Sequence, residues 1–345
     1  MRHGWTWLLP LLAVAAMVTG CGARPAPVTG EGLRVGLAYD IGGRGDQSFN
    51  DAAAKGLDRA AKQLHIAKTQ ELEATAGESD QAKEQRLRLL AQQDFDPVIA
   101  VGFAYAKPLQ KVAGEFPATR FALVDSSEAT GANIANLVFA EHEGSYLVGA
   151  AAALKSRSGS VAFIGGANTP LIQKFLAGYQ AGVARIDPKK KVLVQYLSQA
   201  PDFSGFSSPD KGQVAAKGLY QRGADVVFVA AGASSIGVFQ AAHDLGKRAI
   251  GVDSDQYLQP ALSAVKDVIL TSMIKRVDTA VFDFIDDAGR KTFKAGEQNY
   301  DLKHDGVAYA TSGGFVDDIG PRLEELRRAI ANKDITVSTI PKAGT

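Results

Sequence analysis

The sequence predicts an α/β protein of two lobes, each a doubly wound parallel sheet. Three observations carry this reading. From Leu33 onward short β-rich runs alternate with helical patterns, and such alternation argues right-handed strand–helix–strand crossovers in a parallel sheet. Most of these runs are apolar without clean alternation, as strands covered on both faces are. The repeating units are also too many for one compact domain, and 345 residues of which 46% are hydrophobic suffice for two ordinary cores.

The N-terminus reads as a targeting segment. In residues 1–20 a basic start at Arg2 precedes an apolar run, the pattern of a signal peptide, and the run is too short for a convincing membrane span. Val18-Thr19-Gly20-Cys21 resembles a bacterial lipobox, in which the cysteine becomes the lipidated mature N-terminus. The plainer alternative is an ordinary cleaved signal with Cys21 incidental. Residues 21–32 are rich in Gly, Pro and Ala and read as a flexible tether. The expected location is the extracytoplasmic face of the cell membrane, through a lipid anchor.

The first folded unit is the stretch VGLAYDIGGRGDQSFNDAAAKGL, residues 35–57. An apolar run ends on Asp40, a glycine loop follows, and a helix opens in which Ser48 with Asp51 fits a capping pattern. Further strands are expected at 97–101, 120–124, 133–139, 160–164, 192–196, 225–230, 249–252, 268–273 and 307–310. Helical spacing marks 81–93, 143–155, 171–186, 213–222, 236–245 and the amphipathic tail 321–332. Thr169-Pro170 supplies a capping oxygen before a proline at the first helical position, and Asp187-Pro188 ends that helix.

In open parallel sheets ligands bind beyond the carboxyl ends of the strands, so the residues there are the candidates for chemistry. Asp40, Asp125 and Asp253 each close an apolar strand, either as turn-formers or as carboxylates that accept hydrogen bonds from hydroxyl or ring N–H donors. Lys275, just past another strand, would offset part of their charge. Phe49, Phe103, Phe175 and Phe206 lie in or near strand-end loops, where a flat heterocycle could stack, although each such residue is more often core than site. Asn50 follows Phe49, and Gly232 would let backbone approach a ligand.

Other chemistries are excluded or disfavoured. The loop GGRGDQ lacks a dinucleotide fingerprint and a P-loop lysine, and Asp40 and Asp46 would repel phosphate unless Arg44 offset both. A net charge of +1 leaves no nucleic-acid footprint. One cysteine forms no internal disulfide, no Cys/His cluster has metal-ligand spacing, and no nucleophile elbow is present. No cofactor, metal or catalytic set is expected.

With these residues in hand, the chain resembles the bacterial basic membrane protein (BMP) lipoproteins, substrate-binding proteins of ABC transporters that include purine nucleoside receptors. The resemblance runs on VGLAYDIGGRGDQSFND, FALVDSS, FLAGYQAGV, GADVVFVAAGASSIGVFQAA, AIGVDSDQ and TSMIKRVD. It implies a type I periplasmic-binding fold that closes by hinge motion, with 33–139 and 255–292 in the N-terminal lobe and 140–254 and 293–335 in the C-terminal lobe. It implies that Asp40 bonds a base edge, Phe49 and Phe175 stack on the ring, and Asn50 supports the pocket. Asp125, Asp253 and Lys275 would hold ribose hydroxyls, and Gly232 would give a backbone contact. The implied partners are a nucleoside and ABC permease subunits, with the receptor a monomer. A nucleoside-cleaving hydrolase, or a ligand-sensing lipoprotein without transport, stands as the alternative.

Overall fold

The computed structural model describes residue 1 and residues 32–342. The expected signal peptide, the tether up to residue 31 and Cys21 lie outside the described residues. Among the described residues no helix is long and apolar enough to cross a membrane.

The chain opens with β1 (Leu33–Ala38), α1 (Phe49–Gln63), β2 (Ile66–Leu72), α2 (Asp80–Gln92), β3 (Val98–Ala100), α3 (Ala106–Glu115), β4 (Phe121–Val124) and β5 (Ile134–Phe139). It continues through α4 (Glu141–Lys155), β6 (Ser160–Asn168), α5 (Pro170–Ile186), β7 (Lys191–Gln199), α6 (Pro209–Gln221), β8 (Ala224–Ala230), α7 (Ser235–Asp244), β9 (Arg248–Asp253) and β10 (Ile269–Lys275). The last elements are α8 (Val277–Arg290), β11 (Gly296–Tyr300), β12 (Val307–Tyr309) and α9 (Gly320–Ala331).

Two six-stranded sheets result, ordered β11-β5-β4-β3-β1-β2 and β12-β10-β9-β8-β6-β7. All pairings in the first are parallel, and in the second only the edge pair β10–β12 is antiparallel. The two orders match position for position. So β4 occupies in the first lobe the place of β9 in the second, and β3 that of β8. Central strands are apolar because both faces are covered: Val35, Leu37, Ile99 and Leu123 in one sheet, and Phe163, Phe228 and Ile250 in the other, are fully buried.

Among the described residues the chain crosses between lobes three times, after β5, after β10 and after β11. The crossings run side by side, joined by Ala140 N–H to Tyr300 O (3.1 Å) and Arg276 N–H to Gly306 O (2.9 Å). Leu302 N–H also donates to the Glu143 carboxylate (2.9 Å). Two expected boundaries move. β10 pairs with β9, Ser272 opposite Gly251, so residues 269–275 belong to the second sheet rather than the first lobe. β11 pairs with β5, so 296–300 belong to the first. An apolar run shows that a strand exists; which sheet it joins depends on its neighbours, and no local pattern records that.

Helix starts are partly as the sequence suggests. Thr169 Oγ1 accepts from Ile172 N–H at 3.3 Å, with Pro170 opening α5 and Asp187 closing it. At α1 the capping expectation is overturned. Ser48 occupies the N-cap position, yet its hydroxyl caps nothing. Asp46 takes over: its Oδ1 accepts from the backbone N–H of Ser48 (2.8 Å) and Asp51 (3.1 Å), and its Oδ2 from that of Asn50 (2.8 Å). Asp51 turns back to accept from Gly45 and Gln47 N–H. A carboxylate with two oxygens outcompetes one hydroxyl for the free N–H groups of a first turn.

Candidate functional site

The carboxyl ends of both sheets face one cleft, which holds a cavity with about 530 Å³ of empty space, its open mouth included. Asp40, Phe49, Asn50, Asp125, Phe175, Gly232, Asp253 and Lys275 all line it, as do Asp46, Phe103 and Phe206. Four carboxylates, one ammonium and four phenyl rings therefore share one enclosure.

The charged half is built on the matching strands β4 and β9. Asp125 and Asp253 follow the sequences ALV and IGV, and both adopt left-handed backbone, φ +69° and +66°. Aspartate tolerates this conformation better than most side chains. Lys275, at the end of β10, is 2% exposed. Its Nζ lies 2.6 Å from Asp125 Oδ2 across the cleft and 3.7 Å from Asp253 Oδ1 within its own lobe. It also lies 4.5 Å from the centre of the Phe49 ring and 5.5 Å from those of Phe139 and Phe175. Burial alone would lower its pKa, but Asp125, Asp253 and Glu141 outweigh burial and hold the ammonium above its ordinary range. Burial pushes Asp253 up, against the pull of Lys275. Asp125 Oδ1 is buried with no hydrogen-bond partner among the described residues.

The other end is built on β1 and the start of α1. Asp40 Oδ1 accepts from Ile41 N–H (2.8 Å), and its backbone N–H donates to Asn50 Oδ1 (3.0 Å). Asn50 Nδ2 in turn donates to Asp46 Oδ2 (3.0 Å). Asn50 thus braces the loop beneath Asp40. Burial pushes Asp40 up to about 6 and Asp46 up to about 7. Gly102, at φ +106°, makes room for Asp40: a Cβ there would sit 2.1 Å from Asp40 Oδ2. Gly232 holds the matching place after β8, also at positive φ.

Aromatic rings close the mouth from both sides. Phe103 of the first lobe makes edge-type ring contacts with Phe203 at 5.2 Å and Phe206 at 6.5 Å in the second. Arg44 does not line the cavity. It pairs with Glu71 (2.8 Å) and Asp58, and the Tyr39 hydroxyl donates to the same Glu71, so the arginine fastens the glycine loop to β2 and α1. Sequence reasoning gave Asp46 no role beyond repelling phosphate, and it missed Gly102, Phe203 and the lining apolar pair Leu171 and Ile172. The spacing Asp46-x-Ser48-x-Asn50 was a usable signal for the first, and the glycine closing the run VIAVG for the second. Among the described residues no group of His, Cys, Asp and Glu is arranged to hold a metal ion.

A family model described as ABC transporter substrate-binding protein PnrA-like (Bmp) matches residues 34–340. A protein named CD4+ T-cell-stimulating antigen from Listeria monocytogenes is 33% identical over 321 residues, covering 89% of this chain and 88% of its own. The ABC transporter nucleoside-binding protein BmpA of Lactococcus lactis is 31% identical over 313 residues, covering 86% and 88%. Among solved structures, a solute-binding protein of an ABC transporter system from Aeropyrum pernix aligns with a TM-score of 0.76 at 26% identity, over 90% of this chain and 94% of that one.

Proposed function

This chain belongs to the Bmp family of PnrA-like ABC transporter substrate-binding proteins, and from that premise we propose that it is a lipid-anchored extracytoplasmic receptor for nucleosides, purine nucleosides foremost. It would carry them to membrane permease subunits. The observation that supports this reading is the composition of the cavity wall: phenyl rings beside carboxylates at both ends, with one ammonium shared by Asp125 and Asp253. A flat ring with N–H donors suits Phe49, Phe175 and Asp40, while vicinal hydroxyls suit Asp125, Asp253 and Lys275. Asp40, Asp46, Asp125 and Asp253 outnumber the single lysine, so a phosphorylated nucleotide is a poor guest. The relative from Lactococcus lactis, named as nucleoside-binding, supports the same ligand class.

A calorimetric and thermal-shift screen of the chain from residue 22, against nucleosides, free bases and sugars, tests the reading. Purine nucleosides should bind most tightly. A sugar that binds while every nucleoside fails would refute the ligand class, and release of free base from inosine at a catalytic rate would replace the receptor by a hydrolase. Membrane retention lost on Cys21→Ser would support the lipid anchor.

A further inference from the structure

Ser48 is a serine at a helix N-cap whose hydroxyl has been released from capping, because Asp46 satisfies the free N–H groups of the first turn. The freed hydroxyl crosses the cleft. Ser48 Oγ donates to Asp253 Oδ2 at 2.7 Å, with Val252 O further off at 3.4 Å. Two more bonds join the same segments. Ser254 Oγ donates to Ser48 O at 3.0 Å, and Gln256 Nε2 donates to Gln47 O at 2.9 Å. Gln256 is itself fixed, its Oε1 accepting Val252 N–H at 2.9 Å. Ser48 and Gln256 are both fully buried, so each of these groups would lose a partner if the lobes parted.

The consequence falls on one carboxylate. With Oδ2 engaged by Ser48, Asp253 has Oδ1 left, the oxygen on the side of Lys275. Building on the nucleoside reading above, we propose that Ser48 is the positioning residue for Asp253. It reaches that carboxylate only when the lobes close, and it turns Oδ1 toward the sugar hydroxyls, so that closure and recognition of the ribose are coupled through Asp253. Ser254 and Gln256 hold the same closed state without orienting the carboxylate.

The test compares wild type with Ser48→Ala, Ser48→Thr and Ser254→Ala by stopped-flow dissociation and calorimetry. The ligands are adenosine, guanosine and their analogues lacking the 2′- or 3′-hydroxyl. A buried hydrogen bond to a charged acceptor is a strong one, and changes in such contacts appear mostly in dissociation, so Ser48→Ala should release ribonucleosides about tenfold faster. It should also narrow the preference for ribo- over deoxynucleosides, and Ser48→Thr, which keeps the hydroxyl, should restore both. Ser254→Ala should speed release while leaving that preference intact. An unchanged preference in Ser48→Ala, or equal loss of preference in Ser254→Ala, overturns the assignment. If wild type binds no nucleoside, the ligand reading fails by itself. Small-angle scattering of the same proteins then decides the latch: Ser48→Ala should be more expanded than wild type, and identical profiles overturn it.

Discussion

Lys275→Met isolates the charge at the centre of the cavity. Methionine keeps an apolar stem against Phe49, Phe139 and Phe175, so the packing survives while the ammonium is lost. What remains is Asp125 without its 2.6 Å partner, Asp253 without its 3.7 Å one, and three rings without a cation over them. Removing one member of a buried ion pair costs roughly 3–5 kcal/mol. The Asp125 contact spans the lobes, so much of that cost bears on closure rather than on the fold of either lobe. At about 1.4 kcal/mol per decade, nucleoside affinity should fall by up to roughly two to three and a half decades, read by calorimetry at pH 8. Ligand-free stability should also fall, and the deficit should shrink as pH falls. Burial already raises the Asp253 pKa; without Lys275 it rises further, and protonation then removes the unpaired charge. An affinity within tenfold of wild type would refute the placement of Lys275 at the ligand, and a stability deficit that does not change with pH would refute the charge argument.

Three further outcomes are expected. Phe49→Ala should weaken nucleoside binding by about 1–3 kcal/mol if the ring stacks on the base; unchanged calorimetric affinity removes it from the site. Asp125→Ala should harm ribosides more than free bases, and equal losses for adenosine and adenine would break the ribose assignment. Asp40 has a pKa raised to about 6 by burial, and a base N–H prefers the carboxylate. Affinity should therefore be flat from pH 8 to 7 and decline as pH drops through about 6; a titration in Asp40→Asn that keeps this decline assigns it elsewhere. For the free protein the sign is opposite. A raised carboxylate pKa stabilises the fold below the unfolded value of about 4, and that contribution is lost as pH rises through about 6.

The ten strands expected from apolar runs all exist, and the two that escaped are β2 (IAKTQEL) and β11 (GEQNY). Both stand at the outer edges of the first sheet. An edge strand has one neighbour and a wet side, so charged residues there cost little, and the edge is blunted against pairing with other chains. An edge strand can therefore lack the apolar run by which interior strands announce themselves, as β2 and β11 do, although β7 and β12 at the edges of the second sheet keep one. The same absence hid the third crossing, because the chain enters β11 without any hydrophobic signal that the first sheet has been rejoined.

The site was more legible than the edges for a geometric reason. Parallel strands deliver their carboxyl ends to one side of a sheet, so residues that end apolar runs are collected whatever the strand order. That basis gathers Asp40 and Asp125 at the end of the first sheet and Asp253 and Lys275 at the end of the second, and because the two ends face each other all four line one cavity. What no single stretch recorded was pairing between stretches. Ser48 and Asp51 fit a capping pattern, but a two-oxygen acceptor at Asp46 displaced them, and the displaced hydroxyl found Asp253 some two hundred residues away. Phe103 was visible as a strand-end aromatic, but its contact with Phe203 exists only where one lobe meets the other. Local pattern tells where a side chain is delivered. Its partner follows from the closure of two lobes, and in this chain the contacts that close them converge on the carboxylates proposed to hold the ligand.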